Sequence, residues 1–288
     1  MRRNVAEEAS HLRFEEDVMK LSTICAVLLS VCLAPSAVHA APGDPFGGSE
    51  TGCIPSDKAG LTCGKTLTGA FAKLVASVLK CHVSQVKGAY KAGASSPAFD
   101  GAEEACTTAA KVKFDASLAK ASASCDPSVV AAAESRRDTF LADTSEPSSL
   151  DSLNGLFFCD ASSGLSIADA GGGDQDEAGS IPATGDNYKC AVGFAKAISK
   201  FLSSVYKCHG KAASAGFVGK PFVTAACEDT APKGARAKYD ATMQKYIDAG
   251  ICPPCIANGG GGALPFVLGA GALSAFDSQN EEIYPCAP

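Results

Sequence analysis

Cysteines recur at one fixed interval along this chain. Four pairs of cysteines are separated by the same 127 residues: Cys63 and Cys190, Cys81 and Cys208, Cys125 and Cys252, and Cys159 and Cys286. A fifth pair, Cys106 and Cys227, is separated by 121 residues. The stretch V-L-K-C-H that ends at His82 returns as V-Y-K-C-H, ending at His209. Matches at a constant offset are typical of an internal duplication, so the sequence predicts two tandem pseudo-repeats.

The duplication sets the predicted domain boundaries. We assign residues 41–170 to a first Cys-rich repeat and residues 180–288 to a second, joined by a Gly/Asp-rich linker at 171–179. A single loose acidic loop is more often a solvated linker than a Ca²⁺ site. We interpret three acidic side chains of the linker in this way: Asp174, Asp176 and Glu177.

Residues 19–40 have the features of an export signal. A lysine precedes a mostly apolar run, and small side chains stand at the −3 and −1 positions before Ala41, which predicts cleavage there. Residues 1–18 contain acidic side chains that such a signal lacks, so we predict that translation starts at Met19. Residues 1–40 are thus an N-terminal extension plus signal peptide.

The cysteine count agrees with export. The chain has 14 cysteines, and cleavage before Ala41 removes two of them, at positions 25 and 32, which leaves 12. An even number of cysteines in an oxidising compartment indicates disulfides. We therefore expect a periplasmic or extracellular protein, with no transmembrane segment in the mature chain.

The spacing of the cysteines predicts helices. Eighteen residues separate Cys63 from Cys81, and this equals five helical turns, so both sulfurs lie on one face. Apolar side chains share that face in each repeat. They are Leu67, Phe71, Leu74, Val75 and Val78 in the first repeat, and Phe194, Ile198, Phe201, Leu202 and Val205 in the second. Because Cys106 and Cys125 are spaced almost equally, we predict an all-α fold in which each repeat is a disulfide-stapled antiparallel helical hairpin with irregular Gly/Pro-rich flanks.

The hairpins predict a disulfide pattern. Two pairs staple each hairpin: Cys81–Cys106 with Cys63–Cys125, and Cys208–Cys227 with Cys190–Cys252. The leftover cysteines would then form Cys53–Cys159 and Cys255–Cys286, although spacing alone does not choose among the connectivities. The design resembles twin-cysteine hairpins of the coiled-coil-helix-coiled-coil-helix type. Those hairpins use a much shorter spacing, so no function is carried over.

Two histidines are the candidate metal or haem ligands. His82 and His209 each follow a cysteine, but Val78 and Val205 stand where the haem-attachment motif C-x-x-C-H needs its first cysteine. A metal site requires several ligands that converge on one ion. A metal- or haem-binding carrier using these histidines is therefore an alternative, while the leading interpretation includes no cofactor.

Cys252-Pro-Pro-Cys255 resembles the motif of thiol-disulfide oxidoreductases. Such a motif works at a helix N-terminus, where the first thiol is activated. Here Gly-rich residues follow at 256–262, so we expect no helix there. Cys252 also has a counterpart in Cys125, which favours structural pairing. A periplasmic thiol-disulfide oxidoreductase is the second alternative.

Charge and motifs restrict the function further. The formal net charge is −6 and no basic stripe is evident along the chain, so we do not expect nucleic-acid binding. The near match to a P-loop at 59–66 lacks the first glycine, and no Gly-x-Ser-x-Gly nucleophile motif occurs. The leading hypothesis is an exported, non-enzymatic, cysteine-rich structural or binding protein whose ligand or protein partner is unidentified.

Overall fold

The structure, a computed structural model, describes residues 41–47, 50–94, 97–142, 149–167, 179–230, 232–258 and 264–286. The predicted export signal and positions 171–178 of the predicted linker lie outside these residues. The described chain is all-α, with 71% of its residues helical and one two-stranded sheet.

The helices and strands form two consecutive series, the first at residues 45–163 and the second at residues 185–282, and each contains one long helix. The first series has the antiparallel strands β1 (Pro45–Gly47) and β2 (Glu50–Cys53), followed by α1 (Lys58–Ala92), α2 (Pro97–Ala121), α3 (Pro127–Phe140), α4 (Ser152–Phe157) and a 3₁₀ turn (Ala161–Ser163). The second series has α5 (Gly185–Phe217), α6 (Thr224–Glu228), α7 (Ala235–Asp248), α8 (Pro254–Ala257), α9 (Leu264–Ser278) and a 3₁₀ turn (Asn280–Glu282).

Capping residues start and stop the two long helices. The side chain of Asp57 accepts a hydrogen bond of 2.7 Å from the N–H of Gly60 at the start of α1. Thr184 caps α5 in the same way, accepting from the N–H of Asn187 at 3.1 Å. Gly93 ends α1 in the left-handed conformation that favours glycine. These caps satisfy backbone donors and acceptors that a helix end leaves unpaired.

The long helices α1 and α5 pack against each other and join the two series in one core. All ten apolar residues of the predicted stripes are buried. The ring of Phe71 on α1 lies 4.8 Å from that of Phe114 on α2 and 5.5 Å from that of Tyr206 on α5, measured between centroids. Ser203 on α5 also donates a hydrogen bond of 2.9 Å to the carbonyl oxygen of Ala72. Because the same buried cluster includes both series, neither hairpin buries its apolar face alone.

Four disulfides match the predicted staples. Cys81–Cys106 and Cys63–Cys125 tie α1 to α2 and the turn that follows it, and Cys208–Cys227 and Cys190–Cys252 tie α5 to the chain on either side of α7. Both ends of each long helix are thereby fixed to a second segment. Six disulfides in all suggest an oxidising, exported environment.

The predicted pairs Cys53–Cys159 and Cys255–Cys286 are wrong. The structure joins Cys53 to Cys286 and Cys159 to Cys255. The prediction assumed that each repeat closes its own cysteines, whereas both of these bonds link the first series to the second.

Two serines explain why the last two disulfides link the two series and do not close within each one. At the 127-residue offset, Ser180 stands where the first series has Cys53, and Ser128 stands where the second has Cys255. The N–H of Cys53 donates to the carbonyl oxygen of Tyr284 at 2.9 Å, and the N–H of Ser180 donates to that of Phe158 at 2.7 Å. The segment before each long helix is thus hydrogen-bonded to a late segment of the other series. Only the segment before α1 has a cysteine at this position, so only that contact is also a disulfide.

Among the described helices, none combines the length and the apolar character that crossing a membrane requires.

Candidate metal centre

Both candidate histidines are buried on the inner faces of the long helices. The side chains of His82 on α1 and His209 on α5 are each only 1% exposed. Each histidine follows a cysteine that is tied by a disulfide to a neighbouring segment. The structure surrounds each ring with its own set of carboxylates, so the two histidines belong to separate clusters.

Three carboxylates face His209. Its Nε2 lies 3.0 Å from Oε1 of Glu228, 3.5 Å from Oδ1 of Asp277 and 3.9 Å from Oε2 of Glu50. The carboxylates come from α6, α9 and β2, three elements that are distant in the sequence. All four side chains are at least nine-tenths buried. We call them the His209 cluster.

The disulfide Cys208–Cys227 positions one of these carboxylates. Cys208 precedes His209 on α5, and Cys227 precedes Glu228 at the end of α6. The bond between the two cysteines therefore holds the imidazole and the carboxylate side by side.

Hydrogen bonds position Glu50. Nδ2 of Asn280 donates to Oε2 of Glu50 and to the carbonyl oxygen of Thr51, both at 3.2 Å. The hydroxyl of Thr51 donates to the carbonyl oxygen of Ser278 at 2.9 Å. These contacts attach β2 to the end of α9, so Glu50 and Asp277 reach the same side of His209.

The cluster buries more negative than positive charge. Burial raises the pKa of Glu50 to about 7, with Glu228 and Asp277 adding to the rise and His209 opposing it. Burial also raises the pKa of Glu228. Burial by itself would lower the pKa of His209, but Asp277, Glu228 and Glu50 outweigh it and raise that pKa to about 9. Three carboxylates around one imidazolium leave charge uncompensated, which favours uptake of protons or of a cation.

The spacing of the donor atoms fits one metal ion. Glu50, His209 and Glu228 each offer a ligand atom, and these atoms all lie within 4.8 Å of one another. With metal–ligand bonds of about 2.0–2.2 Å, neighbouring ligand atoms around one ion lie about 3–4 Å apart. The contacts of 3.0, 3.5 and 3.9 Å at Nε2 fall in that range. One imidazole with carboxylates is a donor set for Zn²⁺, Fe²⁺ or Mn²⁺.

The hydrogen bonding of the cluster is incomplete. Within the described residues, neither ring nitrogen of His209 has a hydrogen bond of good geometry, and neither has Oε1 of Glu228 or Oε1 of Glu50. Buried polar atoms in native proteins nearly always have partners. The ring nitrogens of His82 lack well-aligned hydrogen bonds too, so the spacing of the donor atoms, rather than their hydrogen bonding, distinguishes the His209 cluster.

The His82 cluster is organised differently. Nε2 of His82 lies 2.7 Å from Oδ1 of Asp151 and 3.5 Å from Oε1 of Glu103. That oxygen of Glu103 also accepts a hydrogen bond of 2.6 Å from the hydroxyl of Thr107, and burial raises the pKa of Glu103. Among the described residues this set does not meet the spacing that a single ion needs. It matches an imidazole held between two carboxylates.

Haem does not fit beside His209. The ring lines a cavity of about 10 Å³ near Tyr206 and Asn280. A volume of that size holds about one water molecule.

The two cysteines of the C-P-P-C motif form disulfides with other cysteines and not with each other. Cys252 is bound to Cys190 and Cys255 to Cys159. The expectation that no helix follows is wrong, because α8 begins at Pro254, but α8 is only four residues long.

Sequence reasoning found the histidines and missed their carboxylates. A local signal was present, since Asp151-Ser-Leu-Asn154 and Asp277-Ser-Gln-Asn280 repeat the pattern D-S-x-N. Glu50 opens the stretch E-T-G-C-I-P, which E-A-G-S-I-P repeats 127 residues later, partly outside the described residues.

Comparisons with protein-family models, with curated proteins and with solved structures found no match for this chain.

Proposed function

We propose that this protein is an exported, non-enzymatic metal-binding protein that holds one divalent first-row transition-metal ion in the His209 cluster. The observation that carries the proposal is the approach of three carboxylates within 3.9 Å of a single buried imidazole nitrogen. Glu50, His209 and Glu228 come from three different elements and offer ligand atoms within 4.8 Å of one another, and Asp277 adds a third carboxylate 3.5 Å from the same nitrogen. The cavity beside His209 has a volume of about 10 Å³, room for about one water molecule, which favours a structural or storage role over catalysis on a larger substrate.

The disulfides support the location outside the cytoplasm. Every cysteine between residues 41 and 288 is in a disulfide, which agrees with folding in the periplasm or outside the cell. The same pairing weighs against thiol-disulfide exchange by Cys252 and Cys255, because each thiol serves a different long-range bond.

The test is a metal titration of the exported protein with its disulfides intact. After removal of metal by a chelator, Zn²⁺ and Mn²⁺ are titrated separately and followed by calorimetry. We expect one tightly bound ion per chain, with affinity that falls at acidic pH because ligands must lose protons to bind the metal.

His82 provides a matched control. His209→Gln removes the imidazole of the proposed site, and His82→Gln removes an equally buried imidazole from the equivalent position on α1. Loss of even an outer partner of a metal ligand costs about 10–100-fold in affinity, so we expect His209→Gln to weaken binding by more than about 100-fold. The variant His82→Gln should keep one ion per chain with little change in affinity. Absence of binding by the wild type, or equal losses in both variants, contradicts the proposal.

A further inference from the structure

Four lysines form a row along the outer face of α5. Lys196, Lys200, Lys207 and Lys211 are all exposed. At 100° per residue their positions fall within about 60° of the helix circumference, and at 1.5 Å per residue they extend over about 22 Å. The fold thus aligns positive charge on one side of a chain whose net charge is −6.

A groove lies on each side of this row. The groove between α5 and α7 has a volume of about 800 Å³, and Lys233 and Lys238 join the row in lining it. The groove between α1 and α5 has a volume of about 580 Å³, and Lys65 and Lys220 line it together with Lys207 and Lys211. We call these eight residues the lysine surface.

Negative charge is missing from the lining of both grooves. No Asp or Glu lines either one within the described residues. The lysine ion pairs within the described part of the chain, those of Lys111 and Lys189, lie elsewhere. Clefts lined by one sign of charge focus the electric field and attract ligands of opposite charge. The row itself follows from the helical spacing of four lysines on α5, and the fold adds Lys65, Lys220, Lys233 and Lys238 beside it.

The shape and chemistry of the grooves indicate the type of anion. Hydroxyl side chains also line the grooves, namely Ser199, Ser204 and Thr242 in one, and Ser214 and the buried Thr68 in the other. Two grooves beside an extended row of charges suit a chain with repeated anionic groups better than a single small ion. A flat bilayer does not enter a groove. Among the aromatic side chains that line the larger groove, Phe201 and Tyr239 are buried and Tyr246 is half-buried, so the groove offers bases one partly exposed ring and no series of rings on which to stack.

We propose that the lysine surface binds a linear anionic polysaccharide that carries carboxylate or sulfate groups. The lysines pair with the charged groups, and the groove hydroxyls hydrogen-bond to the sugar. Polysaccharides of this kind occur outside the cytoplasm, where the disulfides place the protein. This activity goes beyond metal binding and is independent of it, since none of the eight lysines belongs to the His209 cluster.

Binding to alginate, a polyuronate, tests the proposal. The exported protein is titrated with fluorescently labelled alginate and followed by anisotropy at low and moderate salt, with neutral dextran as a second probe. We expect saturable binding to alginate that weakens as salt rises, because salt screens exposed charges, and no binding to dextran. Absence of alginate binding at low salt would refute the proposal.

The duplication offers a matched pair of variants. Lys200→Glu/Lys207→Glu reverses two charges of the lysine surface, and Lys73→Glu/Lys80→Glu reverses the exposed lysines 127 residues earlier on α1. Both double variants change the net charge equally. We expect the first to weaken alginate binding by about tenfold or more and the second by less than about threefold. Equal losses would show a dependence on net charge alone and would overturn the proposal.

Two further probes separate the other classes of ligand. Vesicles rich in phosphatidylglycerol and single-stranded DNA are titrated under the same conditions. Tighter binding of either one than of alginate would reassign the lysine surface and overturn the polysaccharide proposal. Metal affinity measured on Lys200→Glu/Lys207→Glu should equal that of the wild type, which shows that the variant is folded and that the two activities are separate.

Discussion

Cys53 and Cys286 are joined by a disulfide across a sequence separation of 233 residues. The bond ties the end of β2 to the segment that follows α9. Glu50 lies at the start of the same strand, and its Oε2 lies 3.9 Å from Nε2 of His209. The covalent bond that connects the segment before α1 to the segment after α9 therefore also positions a ligand of the proposed metal centre.

Removing this bond should weaken both stability and metal binding. For Cys53→Ser/Cys286→Ser we expect a loss of about 2–4 kcal/mol in the free energy of unfolding, because the unfolded chain gains freedom. Metal affinity should also fall, since β2 is held less firmly against α9. The matched variant Cys159→Ser/Cys255→Ser removes the other long-range bond and should lose stability while keeping its metal affinity. Urea unfolding and calorimetry measure the two quantities, and equal affinities in the two variants would contradict the coupling.

The metal-free protein should be more stable at acidic than at alkaline pH. The pKa of Glu50 rises from 4.5 to about 7 on folding, so the folded state holds more protons than the unfolded state between those values and stability falls as pH rises. The pKa of His209 rises from 6.5 to about 9, so its contribution is complete below pH 6.5 and disappears as pH rises through 9.

Thermal unfolding at pH 5, 7 and 9 in the presence of a chelator measures this trend. The variant Glu50→Gln lacks the titrating carboxyl, so its melting temperature should fall less than that of the wild type between pH 5 and 7. Added Zn²⁺ should raise the melting temperature of the wild type more at pH 7 than at pH 5, because protons compete with the metal. A wild type whose stability increases from pH 5 to 9 without metal would disagree with the charges assigned to the cluster.

The ring of Phe71 packs against both series of helices, so its removal should lower the stability of the whole fold. Its ring, 1% exposed, contacts Phe114 on α2 and Tyr206 on α5. Phe71→Ala should cost about 3–5 kcal/mol by leaving a cavity. Val112→Ala, at a side chain that is 60% exposed, should change stability by less than about 0.5 kcal/mol. Urea unfolding followed by circular dichroism should show one transition, and two transitions in the wild type would indicate separate cores.

Gly52 allows β2 to approach the end of the second series. It has a φ of 87°, and a Cβ at this position would lie 2.5 Å from the carbonyl oxygen of Tyr284. Gly52→Ala should therefore displace β2 and lower metal affinity. Gly43→Ala is the control, because Gly43 also has a positive φ, 91°, but open space around its Cβ position. Calorimetry should show weaker metal binding only for Gly52→Ala, and unchanged binding would mean that β2 does not position Glu50 through this contact.

The long helices α1 and α5 with their buried faces, helix α2 and four of the disulfides could be predicted from the sequence. A helix repeats its geometry every few residues, so the interval from Cys63 to Cys81 and the apolar stripe between them carry the information locally. The pairing of α1 with α2 also follows from neighbouring segments joined by a short turn. The sequence identified both buried histidines because they accompany cysteines that recur at the duplicated interval.

Only the tertiary structure determined the partners of Cys53 and Cys159, the carboxylates around His209 and the grooves beside the lysine row. Each of these depends on α1 packing against α5, which brings the segment before one long helix to the end of the other series. Such contacts arise from the fit of whole buried faces, and a short repeated stretch such as the one around Glu50 does not show which side chains meet. Glu50 and Glu228 therefore look like ordinary surface acids in the sequence, and packing makes them buried neighbours of one imidazole.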